Sequence, residues 1–595
     1  MQSNTDLESF ARRWQNVLDT TPDAAKVKSL DEAIREHVQD QDTLYFGGAW
    51  ARPNAALFEL SRQFWGKQPR FTLATPALAN QFVVPIHGQL VRKAISAIHA
   101  TVFPAPAPNP VYAEAYRQGR VDFEDWSMHT LVQRLQAAAM GLPFLPTRSL
   151  AGSDLGSELA KRDCYAQVED PFGGGKTGVV PALHPDVTFI HGLAASVNGD
   201  TLICPPYYDN HWAAFAARRS VIVTVEKIVE PEFIRRYAHL NRLPGVVVSA
   251  VCEVPFGGHP TSVPGTVIPE LGGYMDDYEF LAELQRAASR PDDLDRWIGQ
   301  WITGCATHEA YFTALGSKRM NSLKERTRAH NWLQEAPTVL AGKEWPRVTR
   351  AERQAVFTAR QIRQRIAVAG YRTVLAGLGI SSLAAWVAVL QERENGTEVE
   401  LLVENGTYGT IPCPLDPFLF NYRNIETAKS LNDISFALGV MSAGNQNRTL
   451  AVLSAAQVDR HGNLNTSRVG DLLLTGSGGA NDAASTAAEV LVTVPHQTGR
   501  LVAQVEFITS PGENVQSLVT DRVIMQRDHT GTFELTDIYA LPWDASSESG
   551  HKKASELPWG VDDLHANRLA PPSTDELALL RLFDPEGYFL ADKSA

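Results

Sequence analysis

A short apolar run, a small-residue turn and then a helical pattern recur along this chain, and that order constrains its fold more than any other feature. DTLYFGGAW leads into ARPNAALFELSRQ, DVTFIHGLAASVNGD is followed by HWAAFAARR and SVIVTVEKIV, and RTVLAGLGI leads into SSLAAWVAVLQE. Strand, loop and helix in that order predict an α/β fold. The pattern occupies both halves of 595 residues, a length beyond which a single core stops growing and chains divide into domains of roughly 100 to 200 residues. Between the halves, KERTRAHNWLQEAPTVLAGKEWPRV (324–348) is charged, holds two prolines and has no clean period, so it reads as a linker. Residues 1–323 are then one domain and 349–595 another, the second opening on the helical pattern TRAERQAVFTARQIRQRI. No short tandem repeat appears, which argues against solenoids and propellers. Parallel signposts, GGAW in one half and GLGI in the other, suggest two related α/β modules.

Apolar residues make up 44% and charged residues 20%, ordinary for a globular chain. The formal charge is −13 with no long Lys or Arg block, so the footprint of nucleic-acid and anionic-membrane binders is absent. Cys164, Cys204, Cys252, Cys305 and Cys413 are odd in number, far apart and form no C-x-x-C pair, which fits reduced thiols in a cytosol. MQSNTDLESFARRWQNVLDT at the start lacks the apolar run of a signal peptide. AVAGYRTVLAGLGISSLAAWVAVL is long enough to suggest a membrane span, but Arg372 and its glycines argue against one. A soluble, cytoplasmic chain is expected.

EVELLVENGTYGTIPCP places Glu404 at the end of a short apolar strand, directly before Asn405 and Gly406. A carboxylate there sits at the carboxyl edge of a sheet, where open α/β folds place ligands, beside a glycine that permits close backbone approach. A solvated turn acid is the other reading. The similar Glu394-Asn395-Gly396 follows the helical LQER and belongs to a helix-ending loop. LLLTGSGGANDAAST sets Gly476, Ser477, Gly478 and Gly479 between an apolar run and a helix start near Asn481. Successive exposed N–H groups and the positive helix end suit an oxyanion or phosphate, and a tight, closely packed turn is the alternative. Gly377 and Gly379 make only a lone G-x-G, with Ser382 where a third glycine would stand. PFGGGKT has Asp170 in place of the first Walker A glycine, so ATP binding is unsupported. His191, His259 and His496 lie beside Gly or Pro turns without a metal-ligand spacing and read as structural, with no metal expected. No G-x-S-x-G elbow is present, and Cys413 has no base near it in sequence, so it reads as a buried inert thiol.

These motifs carry a family resemblance. From about residue 353 onward, LLVENG, AAQVDRHGNLNTSRVGD, LLLTGSGGAND, VEFITSPG and LFDPEGYFL resemble the catalytic subunit of family I coenzyme A transferases of the glutaconate type. YFGGAW, QGRVDFEDWSMHTLVQRLQAAAMGLPFLP, AGSDLG, PALHPDVTFIHGLAASVNGD, SVIVTVEKI and VPFGGHPTS, within residues 30–323, are similar to the partner subunit. The resemblance implies two open α/β domains of the CoA-transferase/NagB-like kind in tandem, two subunits fused in one chain. It implies a ping-pong transfer of coenzyme A between an acyl-CoA and a free carboxylic acid, with Glu404 as the catalytic glutamate and coenzyme A as co-substrate, no cofactor being tightly bound. Gly476, Ser477, Gly478, Gly479 and Asn481, with Gly377 and Gly379, are expected to bind CoA or substrate or to shape an oxyanion site. Gly152, Ser153, Gly47 and Gly48 are expected to face them from the first half. The family also implies an active site between the halves and a homodimer of the fused chain.

Two departures qualify the resemblance. VFPAPAPNPVYAEAYRQ replaces a Ser-Gly-containing segment, which puts dicarboxylate specificity in doubt and points to a more apolar pocket. Glu-Asn-Gly replaces the Glu-Ser-Gly of the glutaconate type and approaches the oxoacid transferases. Acyl-CoA hydrolases and decarboxylases on the same fold lack this glutamate, which favours transfer over them, and the site-like segments kept in both halves disfavour a silent acyl-CoA binding module.

Overall fold

Strands covered on both faces must be apolar almost throughout, and Val187–Ala195 buries every one of its nine residues. The computed structural model describes residues 3–19, 26–103, 105–328, 330–444, 448–539, 557–559 and 566–592. In the first half, β1 (Thr43–Phe46), β2 (Phe71–Ala74), β3 (Val91–Ser96), β4 (Asp122–Asp125), β5 (Val187–Ala195), β6 (Ser220–Ile228) and β7 (Ala250–Glu253) form a parallel sheet in the order β7-β6-β5-β1-β2-β3-β4. Helices cross between them, among them α1 (Met128–Ala139) and α2 (Asp154–Lys161) after β4.

The second half opens on α3 (Arg350–Ala369), which starts at a Thr349/Glu352 capping box and stops at Gly370 in the left-handed conformation. Then follow β8 (Thr373–Ala376), α4 (Ile380–Glu394), β9 (Glu400–Leu402), β10 (Thr449–Leu453), α5 (Ala480–Thr486), β11 (Glu489–Thr493) and β12 (Val515–Val519). Their strands run parallel in the order β9-β8-β10-β11-β12, and an antiparallel meander, Val523–Arg527 and Phe533–Ile538, extends the far edge. The stretch that resembled a membrane span is divided among the end of α3, β8 and α4, and among the described residues no helix is long and apolar enough to cross a membrane. All five cysteines are unpaired. Within 324–348 the chain forms a helix, Trp332–Leu340, despite Pro337 inside it. Glu335 of that helix takes two hydrogen bonds of 2.8 Å from Arg423, so the segment is pinned to the second half.

The halves share one apolar core, in which Ala97, Met128, Val132 and Tyr208 pack with Leu402, Ile434, Leu438 and Ala483. Polar bonds fix its register. Asp482, fully buried on α5, accepts from Ser127 Oγ (2.6 Å), Ser149 Oγ (2.7 Å) and the His129 N–H (2.9 Å), all in the first half. Next to it, Asn481 accepts from the Leu150 N–H at 2.9 Å. Stranding a buried donor costs about 1–3 kcal/mol. Asp482→Ala strands three and should destabilise the protein by about 3 kcal/mol or more, while Asp482→Asn, which keeps one acceptor oxygen, should lose about half as much. Urea unfolding of the full chain measures both.

Candidate functional site

Glu404 follows β9 at the carboxyl end of the second sheet, on a turn in which the Val403 N–H donates to Thr407 O and the Gly406 N–H to Val403 O. Gly406 is required there: its φ is +102°, and a Cβ would sit 2.5 Å from the Asn432–Asp433 backbone. The decoy at Glu394 ends α4, as a helix-ending loop should. The Glu404 side chain, partly buried, reaches Gly479, whose N–H favours the ionised carboxylate. A Cβ on Gly479 would lie 2.4 Å from Glu404 Oε2, so only a glycine lets the loop come this close.

In the glycine loop the Gly476 N–H donates to Thr466 O (3.1 Å) and the Gly478 N–H to Ala97 O (2.8 Å), while the Ser477 and Gly479 N–H groups favour the ionised forms of Asp125 and Glu404. Gly478 O accepts from the Met128 N–H at 2.9 Å. A loop whose N–H groups suit an anion thus serves two carboxylates of its own chain, one from each half. Burial first, and then the negative charge of Asp482, push the Glu404 carboxyl up to about 7, against the pull of the Gly479 N–H. The buried Tyr208 phenol lies close enough for the Glu404 charge to help raise it. Asn405 Nδ2 and Ser477 Oγ are buried without a hydrogen-bond partner.

The other expected site residues have their polar groups committed within the fold. Asn481 also donates to Thr509 O at 2.8 Å, and Ser153 caps α2 by accepting from the Gly156 N–H (3.0 Å) while donating to Leu150 O (2.7 Å). Gly152 lies beside Pro511 across the interface. Gly47 and Gly48 donate to Phe189 O (3.2 Å) and Asp209 (3.0 Å), and Gly377 and Gly379 to Val452 O (2.9 Å) and Ser382 Oγ (3.2 Å). Glu404, Ser477, Gly478, Gly479 and Asn481 therefore come together, while Gly47, Gly48, Gly377 and Gly379 serve their own turns. His191 is held by Thr224 (2.8 Å) and Glu226 (2.9 Å), and burial pushes the Cys413 thiol up to about 12. No group of side chains that could hold a metal occurs among the described residues. Asp125, Tyr208 and Asp482 escaped the sequence reading. Only Asp482 had a signal, its place beside Asn481 three residues past Gly479.

The Coenzyme A transferase family profile matches residues 27–254. The chain is 31% identical over 287 residues to one subunit of the 3-oxoadipate CoA-transferase of Pseudomonas knackmussii, covering 47% of this chain and 94% of that protein. It is 29% identical over 315 residues to one subunit of the glutaconate CoA-transferase of Acidaminococcus fermentans (50% of this chain, 95% of that protein) and 28% identical over 184 residues to a second subunit of the same enzyme (28% and 61%). The fold, at 16% identity and a TM-score of 0.63, matches an acyl-CoA transferase from E. coli O157:H7 in a thioester complex with CoA, over 96% of this chain and 98% of that one.

A carboxyl raised in the folded state holds its proton more tightly there than in the unfolded chain. Stability is therefore lost as pH rises from the unfolded value, about 4.3, through the folded value, here about 7. Glu404→Gln should raise stability by about 3–4 kcal/mol at pH 8 and by about 1 kcal/mol at pH 5, measured by urea unfolding at the two pH values.

Proposed function

The chain belongs to the coenzyme A transferase family, as an acyl-CoA:carboxylate CoA-transferase, and we propose that its transfer runs through covalent intermediates on Glu404. The observation that carries this reading is the contact of the Glu404 carboxylate with the Gly479 N–H, at the end of a strand and at the seam of the two halves. A carboxylate Oε attacks the thioester carbonyl, the C–S bond breaks, and coenzyme A leaves as its thiolate with an acyl-glutamyl anhydride behind it. The thiolate attacks Glu404 Cδ, releasing the first acid and leaving a glutamyl-CoA thioester. An incoming carboxylate attacks the same Cδ and expels the thiolate, which then takes the new acyl group and frees Glu404. Every exchange joins groups of similar acyl reactivity, so no strong base is needed. Each tetrahedral intermediate carries an oxyanion, for which the Gly479 N–H, next to Glu404, is the donor at hand.

In this reading residues 1–323 act as the partner-subunit domain and 349–595 as the catalytic one, joined by 324–348. The chain works in the cytoplasm as a homodimer, with coenzyme A as co-substrate.

Attack requires the ionised carboxylate, so with a carboxyl near pH 7 kcat/KM for acyl-CoA should rise about tenfold per pH unit below that value and level off above it. Borohydride or hydroxylamine added during turnover should modify Glu404, read by peptide mass spectrometry; an active enzyme with no adduct there sinks the covalent route. Gly479 has φ −85°, which any residue adopts, so Gly479→Ala should keep its fold. Its methyl displaces the carboxylate, and activity should fall by about 100-fold or more in steady-state assays.

A further inference from the structure

The glycine loop lies against the first half mostly through main-chain atoms. The His99 N–H donates to Thr475 O (3.1 Å), the Gly478 N–H to Ala97 O (2.8 Å) and the Met128 N–H to Gly478 O (2.9 Å). One side chain of the first half joins them. Asp125, at the end of β4, reaches across the seam and accepts from Ser467 Oγ at 2.9 Å, while the Ser477 N–H favours its ionised form. The segment around Ser467 backs the loop: Ser467 O accepts from the Leu474 N–H (2.8 Å), and Thr466 O from the Thr475 (3.0 Å) and Gly476 (3.1 Å) N–H groups. The loop backbone passes close to the carboxylate, since a Cβ on Gly476 would stand 3.3 Å from Asp125 Oδ1 and 2.5 Å from Ala97 O. Asp125 thus meets both the loop and the segment that backs it.

Asp125 itself is poorly satisfied. Burial raises its carboxyl to about 7, against the pull of Ser467 and Ser477. Among the described residues its Oδ1 has no hydrogen-bond partner, and neither ring nitrogen of His99, whose Nε2 stands 3.7 Å away, has one either. A carboxyl in this state costs the fold stability, and groups kept at such a cost are those whose place serves a site. Ser477 and Gly479 are two residues apart in one turn, so a shift of the first amide carries the second with it. Clearance at the far end is small, a Cβ on Gly479 being 2.4 Å from Glu404 Oε2.

We propose that Asp125 is a positioning residue for the transfer: holding the Ser467 hydroxyl and the Ser477 N–H from the far side of the seam, it sets the glycine loop where the Gly479 N–H faces Glu404. What it supplies is an acceptor oxygen, which a carboxylate, a protonated acid and an amide all carry. The inference rests on the reading of Glu404 as the nucleophile. Glu404 is raised by burial and by the charge of Asp482 and lowered by the Gly479 N–H. Displacing that N–H therefore moves the Glu404 carboxyl further up, the opposite of what removing a nearby negative charge would do.

Asp125→Asn keeps an acceptor oxygen, whereas Asp125→Ala and Asp125→Leu remove it, the second without leaving a void. Kinetics of the full chain would use the fastest donor among acetyl-, butyryl-, succinyl- and glutaryl-CoA with acetate as acceptor, and urea unfolding would show that each variant folds. In Asp125→Ala and Asp125→Leu, kcat should fall by about tenfold to 100-fold with KM for the acyl-CoA within about threefold, and the midpoint of the kcat/KM profile should move to higher pH. Asp125→Asn should keep kcat within about threefold of the wild type and leave the midpoint in place. Amide hydrogen exchange over 474–481, which needs no substrate, should quicken in the two truncations and not in Asp125→Asn. An unchanged kcat, a loss confined to KM, a midpoint that stays or falls, unchanged exchange, or an Asn variant as poor as the truncations would each overturn the proposal. Failure of both truncations to fold would overturn it too, by giving Asp125 a structural role. An active wild-type enzyme without a glutamyl adduct would count against Glu404 as the nucleophile, and an adduct together with unaffected Asp125 variants against this inference alone.

Discussion

The buried bonds of Asn481 and Asp482 to the first half are the constraint on which the rest depends. Three donors converge on Asp482 and a fourth on Asn481, all from the stretch 127–150. These two residues begin the helix that the glycine loop enters, so fixing them fixes the loop. Because hydrogen bonds are directional, they set register where the surrounding apolar contacts would tolerate sliding. The loop can then place one N–H on Asp125 and another on Glu404.

The same arrangement carries an electrostatic consequence. Asp482 anchors the halves and also places negative charge near Glu404, helping to raise its carboxyl toward neutrality. Structural security and the reactivity of the site are thus coupled through one side chain. A weakly solvated carboxylate is a better nucleophile than a fully hydrated one, and the energy that keeps it so comes from packing elsewhere in the fold.

Much of the architecture was legible in the sequence because it rests on local periodicity. The run before Glu404 makes a strand and the one before Glu394 a helix, and the two Glu-Asn-Gly tripeptides separate on that basis alone. The glycine loop was legible as an anion-seeking turn, but not its partners: Asp125 lies some 350 residues earlier in the chain, and no spacing rule links residues across a domain seam. The charged stretch 324–348, with two prolines and no clean period, reads as a linker, and within it a helix forms across Pro337 as Glu335 meets Arg423. Tertiary pairing there overrode a local breaker signal. Capping and bridging use the same residue types as binding does, so the bonds that Ser153 and Asn481 make within the fold were not legible from their identity.

Gly478 is tied to the first half through backbone atoms alone, to Ala97 O and the Met128 N–H, and the next residue supports Glu404. Parting the halves by the length of one hydrogen bond would pull that support out of line. The seam therefore behaves as an interlock. On a ribosome the first half emerges before the second, so the carboxylate would gain its donor only when the template for the loop is already folded. A partly made chain would present no armed glutamate to passing thioesters, and one polypeptide would set the timing of its chemistry as well as its stoichiometry.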